Sequence, residues 1–73
     1  MTTPEYESML CAIEALPLRD PSVAAEVRHC RSIVDSASTF AAVHGDQQRI
    51  AHARDALVRL DAVEKRHAAE GSR

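Results

Sequence analysis

The sequence predicts an all-α fold: a long antiparallel helical hairpin, coiled-coil-like in character, with a short third helix on its N-terminal side. Three observations carry that prediction. Pro4, Pro17, Pro21 and Gly45 divide the chain at helix-starting and helix-stopping positions. Between them, two long segments repeat apolar residues in alternating steps of three and four. No segment reads as a strand. At 73 residues the whole chain, 1–73, is expected to be one helical domain.

The first helix is expected over about 4–16. Thr3-Pro4 reads as an N-cap followed by proline at the first helical position, and Glu5 and Glu7 fall in the first turn, where the helix dipole favours acids. Tyr6, Met9, Leu10, Ile13 and Leu16 form one apolar stripe, and Pro17 ends the helix. Asp20-Pro21 repeats the cap-and-proline device, so a second helix runs over about 21–44, where Gly45 stops it. Asp46 then caps a third helix over about 46–69, followed by a frayed tail over 70–73.

On the second helix Val23, Val27, Cys30, Val34, Ala37, Ala41 and His44 recur as a heptad seam. The third offers Ile50, Ala53, Leu57, Leu60, Glu64 and His67 at the same steps. Folded back at Gly45, the two helices would meet in layers: Ala41 with Ile50, Ala37 with Ala53, Val34 with Leu57, Cys30 with Leu60, Val27 with Glu64 and Val23 with His67. Beside the seam, Ile33 and Phe40 on one arm and Ala56 and Val63 on the other widen it into a groove. The first helix supplies a stripe to fill that groove. It is about 19 Å long against about 35 Å for each arm, and its linker tethers it at the open end. It should therefore cover Val63, Ala56 and Ile33 and stop short of Phe40 and Val43. An exposed apolar patch of this kind marks a binding surface, and Ile33, Phe40, Val43 and Ile50 are the candidate protein-interface residues. The competing expectation is that the first helix shifts and buries Phe40 as ordinary core.

Composition narrows the function classes. Thirteen alanines and only two aromatics, Tyr6 and Phe40, predict a thin core that a partner or a second copy would reinforce. A net charge of −2 gives no general pull toward polyanions or anionic membranes, and no apolar run approaches a span of about 20 residues. The N-terminal residues lack the pattern of a signal peptide, so a cytoplasmic location is expected. Cys11 and Cys30 are expected to remain unpaired, because helical spacing turns Cys11 away from the core.

Catalytic, cofactor and metal sites are not expected. His44 and His67 would lie about 30 Å apart at opposite ends of the hairpin, and His52 with Asp55 makes only a two-ligand surface pair. Cys30 belongs in the seam, away from any histidine base, and Gly45 and Gly71 make no phosphate loop. Asp55–Arg59 and Asp61–Lys65 have the acid-first spacing of helix-stabilising pairs, which favours a solvated basic face.

The leading expectation is a small non-enzymatic protein that binds another protein and modulates it, as inhibitor, adaptor or co-chaperone, with homodimerisation through the same face. The alternative is a dimeric hairpin that binds nucleic acid by aligning Arg54, Arg59 and Arg66 from two chains. Over roughly residues 21–69 the predicted shape resembles short bacterial and phage helical hairpins, among them type III secretion needle co-chaperones and plasmid copy-number regulators. The resemblance is one of architecture and brings no functional residue with it.

Overall fold

A computed structural model describes residues 4–17 and 19–71. Among them the chain forms three helices and no strand: α1 (Tyr6–Ala15), α2 (Val23–His44) and α3 (Gln47–Gly71). Thr3, the expected cap of the first helix, lies outside the described residues. The Glu7 amide donates to the Pro4 carbonyl at 3.0 Å, and regular helix starts at Tyr6. It ends one residue earlier than expected, because a residue before proline is pushed to extended backbone and Leu16 takes φ −68°, ψ 144°.

At the second boundary Asp20 holds the turn that leads into the helix, and the residue directly before α2 is Ser22, whose side chain makes no cap bond. The Asp20 carboxylate accepts from the Ser22 amide at 2.9 Å and from the Ser22 hydroxyl at 2.7 Å. Pro21 and Ser22 form the entering turn, so regular helix begins at Val23 and not at 21. Gly45 closes α2 in the left-handed conformation, φ 66°, ψ 25°. Its amide donates to Ala42 at 3.2 Å and the Asp46 amide reaches back to Ala41 at 2.9 Å, the paired bonds of a Schellman turn. Asp46 then caps α3 through the Arg49 amide at 3.2 Å. α3 runs on to Gly71. Glu70, expected in a frayed tail, is helical and pairs with Arg19 of the α1–α2 linker at 3.7 Å.

α2 and α3 pack as the hairpin, and α1 lies against both. From α2 the core takes Val23, Val27, Cys30 and Val34, with Ala41 buried nearer the turn. From α1 it takes Tyr6, Leu10 and Ile13, with Met9 and Leu16 packed at its edge. On α3 the buried line is Ala53, Ala56, Leu60 and Val63, while Leu57 and Ile50 are only half-buried. That line corrects the expected seam. α3 faces α1 as well as α2, so its buried stripe is centred one position toward α1, and the two groove positions become core. Glu64, expected opposite Val27 in the seam, is exposed and ion-paired across the hairpin with Arg31. A carboxylate keeps its solvation or gains a cation there, and either outcome is cheaper than apolar burial. His44 also leaves the seam: it is exposed, and the buried row of α2 stops at Ala41.

The core is thin. Its largest fully buried side chains are Leu10, Ile13 and Leu60, followed by valines and Cys30, and Tyr6 is its one aromatic. The molecule is correspondingly elongated, 44 × 19 × 15 Å.

Candidate protein-interaction surface

α1 has 10 residues and α2 has 22, so their lengths are about 15 Å and about 33 Å. Tethered at the open end by residues 16–22, α1 stops well short of the Gly45 turn. The part of α2 beyond it carries the largest exposed apolar side chains of the described residues apart from Val58: Phe40 is 57% exposed and Val43 is 78% exposed. Together with Asp35, Ser36 and Thr39 they line a shallow depression along the outer side of α2. The His44 ring packs on Phe40, centroids 4.2 Å apart and planes tilted by 42°. The Thr39 hydroxyl donates to its own helix, to the Asp35 carbonyl at 3.1 Å, so it makes no demand on solvent for an acceptor.

Of the four candidate interface residues, the structure brings Phe40 and Val43 together. Ile33 is half-buried and packs on the core, and Ile50 is half-buried at the start of α3; neither lines the depression. One signal was available in the sequence beyond the apolar pattern. From Ser36 to Gly45 there is no Asp, Glu, Lys or Arg, although 27% of the chain is charged. Exposed helix without charge is what interface centres have in common, more than raw hydrophobicity. Val58 makes the contrast. It is 68% exposed on α3, with Arg54, Asp55, Asp61 and Ala62 at helical spacing around it, an isolated apolar residue on a charged face.

A second cluster joins α1 to α3. The Arg59 guanidinium donates to Glu7 at 3.0 Å and, through Nε, to Glu14 at 3.1 Å, with a further short contact to Glu14. Cys11, one turn from each acid, completes the group at 3.8 Å from Arg59. The expected Asp55–Arg59 pair is thus replaced. Two carboxylates seven residues apart on α1 bracket one guanidinium, which outcompetes a single exposed acid on the same helix. The hydrogen bond from Arg59 holds the Glu14 carboxyl below the ordinary carboxylate range, and the acids together push the Arg59 guanidinium further up. Asp61–Lys65 forms as its spacing implies, at 3.3 Å.

The remaining reactive types are apart. Cys30 is fully buried, and burial, with Glu26 nearby, pushes its thiol up. Burial likewise raises the Tyr6 phenol, with Glu7 adding to it. Cys11 is exposed beside Arg59, outside the core stripe. Among the described residues no three of His, Cys, Asp and Glu converge as metal ligands would. No described helix is long and apolar enough to cross a membrane.

Compared with protein-family models, curated proteins and solved structures, the chain matches none of them.

Proposed function

We propose that this chain is a non-enzymatic cytoplasmic helical protein that acts by binding another protein chain, and that the turn-proximal half of α2 makes the contact. As a modulator of its partner it would serve as an inhibitor, an adaptor or a co-chaperone. One observation carries the reading: Phe40 and Val43 stand exposed together in a ten-residue stretch free of charged side chains. The contact is helix against helix or helix in groove, with Phe40 as the aromatic anchor and Ile33 and Ile50 at its margins.

The nucleic-acid alternative draws less support. It needs Arg59 to present its charge outward, and Arg59 is committed to Glu7 and Glu14. Retention on RNA or DNA that weakens steeply with salt and is lost in Arg54→Glu would revive it.

Affinity capture tests the main reading. Tagged wild-type, Phe40→Asp and Val58→Asp chains of equal helicity are used as baits in lysate of the source cell, with a second, untagged copy of the chain added. The expected result is a bound protein, own copy or other, that Phe40→Asp loses and Val58→Asp keeps. Capture that is indifferent to Phe40→Asp, or absent from all three, overturns the assignment.

A further inference from the structure

Resting on that reading, we infer that the occupant of the α2 face is a second copy of this chain, docked antiparallel about a two-fold axis between Thr39 and Phe40.

In an isologous pair each position i on one helix meets position j on the other, and j meets i, so the surface must complement itself. An antiparallel pairing of α2 with its copy about residues 39 and 40 sets i opposite 79 − i. The residues of the depression map onto one another under that operation: Thr39 meets Phe40, and Ser36 meets Val43. Each pair puts a small side chain against a large one. The Phe40 ring enters the space over Thr39 and Ser36 of the other copy, and Val43 fills the place left by Ser36. Thr39 is a suitable floor because its hydroxyl is already hydrogen-bonded to the Asp35 carbonyl.

The fifth residue of the depression, Asp35, falls opposite His44. Asp35 is the one acid of the depression and His44 the one basic side chain packed against it, on the Phe40 ring. Within one chain they are nine positions apart, about 13 Å along the helix, too far to touch. Across the two-fold they meet twice. The same operation applied in the parallel sense sets Asp35 against Asp35 and Phe40 against Phe40, which leaves the depression unfilled and two like charges opposed. Charge and shape therefore select the antiparallel pair.

Electrostatic rescue tests this pairing. Sedimentation equilibrium of the wild-type chain is expected to show a monomer–dimer equilibrium. Asp35→Arg removes the carboxylate that accepts from the His44 imidazole N–H and sets two donors face to face, and His44→Glu places two acids opposite each other; each weakens the dimer roughly tenfold. Combined in one chain, Asp35→Arg with His44→Glu sets a guanidinium opposite a carboxylate and brings the dissociation constant back to within about threefold of wild type. Since the two positions cannot meet inside a monomer, rescue requires the proposed register. Absence of rescue, or a dimer that Phe40→Asp leaves intact, overturns the antiparallel pairing. A wild-type chain that stays monomeric while Phe40 still governs capture of a different protein also rejects the second copy as occupant and leaves the functional reading standing. Monomer without any Phe40-dependent capture defeats both.

Discussion

Arg59 is the side chain whose surroundings most exceed what its sequence neighbourhood implies. Its local partner at helical spacing is Asp55, yet it crosses to Glu7 and Glu14 on α1. All three side chains remain partly in water, so the pairs stabilise modestly. Arg59→Met is expected to cost about 1 kcal/mol near pH 7 by thermal or urea unfolding. Its pH dependence has a fixed sign. Glu14 is held below the ordinary glutamate value of 4.5, so the folded chain resists protonation more than the unfolded one. The contribution is fully present above that value and is lost as pH falls through the lower folded value. The difference between wild type and Arg59→Met should therefore close on acidification below pH 4.5; a gap that stays constant down to pH 2–3 would mean that packing of the Arg59 stem, not its charge, holds α1.

At the scale of elements, the punctuation of the chain was legible because caps are local. Gly45 and Asp46 each act within four or five residues and make the bonds their sequence implies, and Asp20 marks the second boundary by holding the turn before the helix. On α3 the flank under α1, Ala56 and Val63, was legible too, but the loss of Leu57 and Glu64 from the buried seam was not. A heptad pattern counts two helices, whereas α3 has two neighbours, and with alanine at 53 and 56 little side-chain bulk reveals which way the stripe is turned. Ion pairs between elements, such as Arg59 with α1 and Arg31 with Glu64, depend on that rotation and were hidden for the same reason. The Gly45 turn gives a clean test of the local part. A Cβ there would meet no atom within 4 Å, so only the left-handed backbone opposes a side chain. Gly45→Ala should cost about 1 kcal/mol in equilibrium unfolding, and Gly45→Asn less. An unchanged midpoint for Gly45→Ala would contradict a hairpin closed by this turn.

Taken whole, the molecule is a rod whose three-helix half is closed and whose two-helix half is not. α1 reinforces the open end, where the Arg19–Glu70 pair also lies, and the Arg59 cluster ties it to the middle of α3. The turn end is left with Ala41 in its seam and Phe40, Val43 and His44 outside it. A small-residue seam holds two helices together weakly, and covering the outer face of α2 would add the apolar burial that the core lacks. Function and stability are then linked: whatever covers Phe40 also stabilises the hairpin. The chain has a single phenylalanine and a single tyrosine, one exposed and one in the core, and each is a site for a fluorine label. The most direct measurement is the fluorine NMR signal of fluorophenylalanine at Phe40, with fluorotyrosine at Tyr6 as reference for changes in tumbling. With Phe40 at the contact, its resonance shifts as the chain is concentrated or meets its partner in lysate, while the Tyr6 resonance at most broadens. A Phe40 signal that keeps its solvent-exposed position under both conditions would contradict that contact.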